Sequence, residues 1–159
     1  MERVHNAHHH PAQIRLLIAD DHALLCAGLV QLFRAVPAIA DLATAGSLHQ
    51  AVQVGRLFQP HVVLLDAGLL DGAPPDLTGA LQWACREAKW ILLDDAVCES
   101  HVRQAIQMPA HGYWTKHVSF DRLAAAVLEV AAGRPAFCPA VQPHLSAARS
   151  ATRPESSTA

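Results

Sequence analysis

What this chain lacks narrows its function before any residue is assigned a role. No Gly-x-Gly-x-x-Gly segment follows the first apolar run, which speaks against a dinucleotide cradle, and no Gly-x4-Gly-Lys-Ser/Thr loop is present to wrap a nucleotide triphosphate. Lysine and arginine form no run or stripe and the formal net charge is −2, so charge alone supplies no nucleic-acid surface. No apolar run approaches the ~20 residues a membrane helix needs, and the N-terminus has no apolar core of the kind a secretory signal carries. The four cysteines, Cys26, Cys85, Cys98 and Cys138, show neither C-x-x-C nor zinc-finger spacing, lie in or near apolar segments and read as reduced core residues of a cytosolic protein. No internal repeat is visible. An apolar fraction of 52% over 159 residues is ample for one packed domain, so the composition predicts a soluble, cytoplasmic, globular protein.

What is present is an alternation of short apolar runs and amphipathic segments. Residues 1–12 are polar and His-rich (His5, His8, His9, His10) and read as a disordered leader; the adjacent histidines could bind a transition metal loosely, but nothing nearby completes a site. Ile14 to Ala19 is a strand candidate ending at Asp20-Asp21. A helix follows, with Leu25, Leu29, Leu32 and Phe33 on one face, closed by Pro37. Ile39 to Ala45 alternates weakly as a second strand. Ser47-Leu48-His49-Gln50 has capping-box spacing and starts a helix that runs to about Phe58.

Val62-Val63-Leu64-Leu65 then runs into Asp66, the pattern of a strand buried on both faces of a parallel sheet. The Gly- and Pro-containing stretch from Ala67 to Pro75 is a loop, and a helix follows from about Asp76 to Ala88. Trp90 to Leu93 is a fourth strand ending at Asp94-Asp95. The next helix carries Val102, Ala105 and Ile106. Gly112 to Thr115 is a fifth strand, followed by Lys116. Ser119 caps a last helix with Leu123, Val127 and Val130 inward, stopped by Gly133 and Pro135. Beyond about Leu145 the Ser/Ala/Arg/Thr-rich composition predicts a disordered tail. Five βα units imply an α/β, doubly wound, five-stranded parallel sheet with helices on both faces, three layers in all.

In such a sheet the ligand crevice lies outside the strand carboxyl ends. Asp20, Asp21, Asp66, Asp94, Asp95 and Lys116 all fall there. Clustered carboxylates repel and need a neutralising partner. Mg2+ suits a few carboxylates, a backbone carbonyl and waters, and a lysine beside them can pair with a carboxylate or a phosphoryl oxygen. Any one of these aspartates, Asp21 in particular, could instead be an ordinary helix cap; the joint set is more specific.

The chain here resembles the response-regulator receiver (CheY-like) domains. The resemblance rests on Ile18-Ala19-Asp20-Asp21-His22, on Ala27-Gly28-Leu29, on Gln59-Pro60-His61-Val62-Val63-Leu64-Leu65-Asp66, and on His111-Gly112-Tyr113-Trp114-Thr115-Lys116. The Asp-Asp-His opening, Gly28-Leu29 and the Gly-Tyr before Lys116 are most similar to the NarL/FixJ/LuxR-type subgroup. It covers about residues 13–140, between the leader and a tail over 141–159. It implies a flavodoxin-like fold and a set of roles: Asp66 as phosphoacceptor, Asp20 and Asp21 as the Mg2+-binding acidic pair together with Asp66 and the Gly68 backbone carbonyl, and Lys116 as the phosphoryl-pairing lysine. It also implies a histidine kinase or phosphotransfer protein as donor, an output protein or a second copy of the chain as partner, and no enzyme activity beyond transfer to its own aspartate.

Three departures stand out. The Thr or Ser that receivers carry at the end of the fourth strand is Asp94 when counted back from Gly112, and Asp95 after a one-residue shift. The Met-Pro usual after the phosphoacceptor is Leu69-Leu70. The Gly-Ala usual before the fifth strand is Pro109-Ala110. A carboxylate within ~4 Å of a phosphoryl dianion costs on the order of 1–4 kcal/mol per charge pair. This motivates an alternative, a phosphorylation-independent pseudo-receiver in which Asp94 pairs with Lys116. A third possibility, an aspartyl-phosphate phosphatase of the haloacid-dehalogenase type, would need an Asp two positions after Asp66, where Gly68 stands. The segment Ala132 to Pro139 looks like the start of a linker, and the chain then ends without room for a helix-turn-helix effector, so it reads as a stand-alone receiver. Tyr113 and Trp114 are either core aromatics or part of an output surface. Trp83 and Trp90 read as core, and His101 and His111 as surface. His22 reads as a half-exposed helix-start residue within reach of the acidic crevice.

Overall fold

A computed structural model describes residues 13–151. Its elements are β1 (Ile14–Ala19), α1 (Ala23–Arg34), β2 (Ile39–Ala45), α2 (Leu48–Phe58), β3 (Val62–Asp66), a 3-10 turn (Ala67–Leu70), α3 (Pro75–Ala84), β4 (Lys89–Asp94), α4 (Glu99–Gln107), β5 (Gly112–Thr115), α5 (Phe120–Ala131), β6 (Ala136–Phe137), a second 3-10 turn (Pro139–Val141) and α6 (Gln142–Ala151). All strand pairings are parallel, in the order β2-β1-β3-β4-β5-β6. Every residue of β3 is buried, as its unbroken apolar run predicts.

Strand alternation splits the core in two. Leu17, Ala19, Val63, Leu65 and Leu92 face α2, α3, α4 and α6. Leu16, Ile18, Val62, Leu64, Ile91 and Leu93 face α1 and α5. The doubly wound three-layer architecture is therefore the expected one. Helix starts follow local chemistry: the Ser47 hydroxyl accepts from Gln50 N (3.1 Å), while the Gln50 side chain accepts from Gly46 N (2.7 Å), one residue outside a regular capping box. At the end of α5, Arg134 N donates to Glu129 O and Gly133 N to Val130 O, with Gly133 at φ +89°, a Schellman ending that only glycine adopts without strain.

Several expectations are corrected. The sheet has a sixth short strand, and residues 142–151, predicted as tail, form α6. Composition hides the reason. Val141 and Leu145 are buried in the core, with Ala148 packed against it, at i, i+4 and i+7, so a narrow apolar stripe docks an otherwise polar segment. Pro143 falls in the first turn, where its missing N–H costs nothing. The leader at residues 1–12 and residues 152–159 lie outside the described residues. On α1 the buried residues are Cys26, Leu29 and Phe33, and Leu32 is exposed. The helix expected over residues 76–88 ends at Ala84. Ser119 occupies the α5 cap position without a capping side-chain bond. Trp90 is core, but Trp83 is 62% exposed, with the Arg56 and Arg86 guanidinium groups 5.9 and 5.5 Å from its ring centre.

The sixth strand leaves no room at Gly112, where a Cβ would come within 2.7 Å of the Ala136 carbonyl oxygen and 3.1 Å of Ile91. In urea denaturation Gly112→Ala should destabilise by roughly 1–3 kcal/mol. Gly28→Ala should instead leave stability unchanged or raise it by up to ~1 kcal/mol, because a Cβ at this helical position meets nothing within 4 Å.

Candidate functional site

The parallel sheet brings the carboxyl ends of β1, β3 and β5 to one edge, and there Lys116 meets the acids. Its Nζ lies 2.9 Å from Asp20 Oδ2 and 3.1 Å from Asp66 Oδ1, with all three side chains more than nine-tenths buried. Asp95, exposed, approaches the same ammonium at 3.9 Å. His22, at the N-terminus of α1, sets its Nδ1 2.8 Å from Asp20 Oδ1, 3.2 Å from Asp21 Oδ1 and 3.2 Å from Lys116 Nζ. It therefore reaches the crevice from an exposed position. Asp66 also caps the 3-10 turn that follows it, accepting from Gly68 N at 3.2 Å. The Gly68 carbonyl accepts from Asp71 N at 3.2 Å and keeps a second lone pair.

Burial and pairing compete at each group. Burial pushes the Asp66 carboxyl up and the Lys116 bond pulls it down; with Asp20 adding repulsion, the net shift is upward. Burial also pushes Asp20 up, but hydrogen bonds from Lys116 and His22 outweigh it and hold Asp20 below the usual range. Burial alone would lower Lys116, but its two carboxylate partners raise it, so it is a cation at neutral pH.

The donor atoms of Asp20, Asp21, His22 and Asp66 converge within 4.8 Å of one another. Asp20 Oδ2 is buried and paired with the Lys116 ammonium at 2.9 Å. Two buried carboxylates, Asp20 and Asp66, beside the exposed carboxylate of Asp21 are a donor set that fits a hard divalent cation.

Asp94 does something different from what its position in the sequence predicts. It ends β4, in register with Thr115, and its backbone carbonyl accepts from Lys116 N at 2.7 Å. Its carboxylate is not among those within 4 Å of the Lys116 ammonium, so the Asp94–Lys116 pair of the pseudo-receiver alternative is not formed. Asp94 Oδ2 instead accepts a hydrogen bond from the Tyr113 hydroxyl and lies 2.8 Å from His101 Nδ1. His101 Nε2 in turn lies 2.9 Å from Asp71 Oδ1, on the loop after β3. The result is a chain Tyr113–Asp94–His101–Asp71, with Tyr113, Asp94 and His101 buried.

His101 is thus not a surface residue. The signal for it lay in α4, where His101, Val102 and Ala105 share the buried face. His111 is half-buried, its Nδ1 accepting from Trp90 N at 3.3 Å. Tyr113 is core, while Trp114 is half-buried and donates its indole N–H to Ala136 O at 2.7 Å.

Fold and site together define a doubly wound domain with a lysine-bridged aspartate crevice. The response regulator receiver domain family matches residues 16–128, and the chain belongs to that family, the signalling receivers of two-component systems. The chain is 31% identical over 121 residues to the DNA-binding transcriptional activator DevR/DosR of Mycobacterium tuberculosis, covering 76% of this chain and 56% of that protein. It is 26% identical over 138 residues to the nitrate/nitrite response regulator protein NarL of Escherichia coli, covering 87% and 64%. The chain thus spans between half and two thirds of these relatives' lengths. A LuxR-family two-component response regulator from Aurantimonas superimposes with a TM-score of 0.74 at 23% identity, over 87% of this chain and 99% of that one, a likeness of fold. Among the described residues, no helix is long and apolar enough to cross a membrane.

The Asp71–His101–Asp94 chain carries a pH signature. Burial alone would lower His101, but the hydrogen bonds to Asp71 and Asp94 raise it to about 8, from 6.5. A folded-state value above the unfolded one stabilises fully below the unfolded pKa and is lost as pH rises through the folded one. In metal-free protein held in chelator, the stability advantage of wild type over His101→Gln should shrink by roughly 2 kcal/mol between about pH 6 and about pH 9. A flat difference across that range would show that His101 carries no linked proton.

Proposed function

We propose that this domain accepts a phosphoryl group on Asp66 from a phosphohistidine on a kinase or phosphotransfer protein and signals through protein contacts. The observation that carries this reading is Lys116 bridging Asp66 and Asp20 at 3.1 and 2.9 Å in a buried crevice. Asp66 Oδ1 is held by Lys116 and by Gly68 N. Oδ2 has no hydrogen bond among the described residues and would be the oxygen that attacks phosphorus. The new O–P bond forms as the P–N bond to the donor imidazole breaks and the imidazole leaves. Lys116 stays with the transferring oxygens as they gain charge, and Gly68, lacking a side chain, lets the donor reach the carboxylate. Asp20 and Asp21, with Asp66 and the Gly68 carbonyl, would hold Mg2+, which when bound neutralises the crowded oxygens. The domain has no activity of its own beyond this transfer.

A second reading has its own observation. Tyr113 is fully buried and bonded to Asp94, the residue that replaces the usual Thr or Ser. If that bond holds one conformation permanently, the domain is a binding module that phosphate does not switch.

Incubation with Mg2+ and a small phosphodonor such as acetyl phosphate should label wild type, and Asp66→Asn should abolish the label. Labelling that survives Asp66→Asn removes Asp66 from its role. Lys116→Met should slow labelling about tenfold or more, the equivalent of losing at least ~1.4 kcal/mol of charge stabilisation. Asp94→Thr separates the two readings: faster labelling or a new phosphate response favours the locked module, and equal rates show that Asp94 does not disable the receiver.

A further inference from the structure

The buried network at the start of α4 holds a second set of metal-ligating atoms, outside the crevice and unused by phosphoryl transfer. A carboxylate oxygen of Asp94, the Cys98 sulfur and a ring nitrogen of His101 lie within 4.8 Å of one another. We propose that Asp94, Cys98 and His101 bind a borderline-soft transition-metal dication of the Zn2+ type, clamping the end of β4 to the first turn of α4.

Four features support the assignment. The first is placement: Asp94 ends β4, Cys98 occupies the α4 cap position and His101 follows three residues later on the same helical face, so the ligands come from two rigid elements. The second is donor chemistry. One thiolate, one imidazole and one carboxylate form a Zn2+-class set, unlike the all-oxygen set that Mg2+ takes, so the two sites select different ions. Two anionic ligands and a neutral imidazole also balance a dication, which a buried site requires.

The third feature is the surrounding shell. His101 Nε2 faces Asp71 Oδ1 at 2.9 Å, the carboxylate–histidine arrangement that orients a metal-bound imidazole and leaves Nδ1 for the metal. The Tyr113 hydroxyl donates to Asp94 Oδ2, the same oxygen that faces His101 Nδ1, and so orients the carboxylate. The fourth is access: Asp94 and His101 are buried, but Cys98, expected in the core with the other cysteines, is half-buried, its sulfur 3.3 Å from the Ser100 hydroxyl, which leaves a way in from the surface. Three protein ligands leave a fourth position for water.

Without metal, a proton holds the same place between His101 Nδ1 and Asp94 Oδ2, 2.8 Å apart. Ligand atoms around tetrahedral zinc sit ~3.3 Å apart, so the ion needs this pair to open by roughly half an ångström. Binding displaces that proton and the thiol proton.

The test is Co2+ titration of the full chain, stripped with chelator and kept in excess Mg2+ so that the acidic crevice is filled. Wild type should develop tetrahedral visible bands and a near-ultraviolet thiolate-to-cobalt band, saturating at about one equivalent and discharged by Zn2+. Cys98→Ser should remove the thiolate band while circular dichroism stays native, since the Cys98 side chain packs in no core. His101→Gln should weaken binding at least ~10-fold. Asp66→Asn, and a variant with His8, His9 and His10 all changed to Ala, should both keep the band. A wild type that never forms the band, a band that survives Cys98→Ser, or one lost with the three leader histidines overturns the proposal.

Discussion

The ion pairs of Lys116 are the interaction on which the crevice depends. Asp20 and Asp66 end adjacent parallel strands and are almost fully buried. Two desolvated carboxylates so placed would drive each other to protonate. One ammonium from β5's far end lets Asp20 stay well ionised, while Asp66 remains the more weakly held of the two. That inequality suits chemistry: the acid with the raised proton affinity is the more basic nucleophile, and its neighbour is the better permanent anion. The arrangement requires β1, β3 and β5 to end at one edge, which a sheet of parallel strands with helical crossovers imposes.

The second constraint is the polar chain on the α3–α4 side of the sheet. A carboxylate at the end of β4 could have opposed any anion reaching Lys116. Its side chain instead falls on the face where Tyr113 and His101 lie, and it is satisfied there by two hydrogen bonds. Asp94 therefore does not add its charge to the crevice at contact distance. It ties β4, β5, α4 and the loop bearing Asp71 into one network, and buried networks of this kind are rigid when every member is paired. The substitution exchanges a hydroxyl that would answer to the crevice for a carboxylate that answers to a histidine.

The main elements were legible because each has a local signal: unbroken apolar runs for the inner strands, Ser47 and Gln50 at the α2 start, Gly133 at the α5 end. The crevice acids and lysine were legible for a topological reason, since alternating strand and helix patterns place every strand end on the same edge. Trp83 was not legible, because a large aromatic on a helix is usually core, and only α2 packed beside α3 brings the Arg56 guanidinium to the ring that Arg86, three residues on, also approaches. The α6 helix was obscured by averaging, since Val141, Leu145 and Ala148 are too few to outweigh their polar neighbours in composition.

By itself the sequence determined the order of the first five strands and five helices, the parallel sheet and the identity of the residues at its carboxyl edge, because these follow from periodicity along the chain and from the chirality of crossovers. Only the tertiary structure decided which way the Asp94 side chain turns, that His101 is buried between Asp94 and Asp71, and that Cys98 joins them. These depend on side-chain direction and on residues up to 30 positions apart meeting across elements, and no spacing within one segment encodes such contacts. Asp66 takes its potential role from its place along the chain; Asp94 takes its actual one from its neighbours in space.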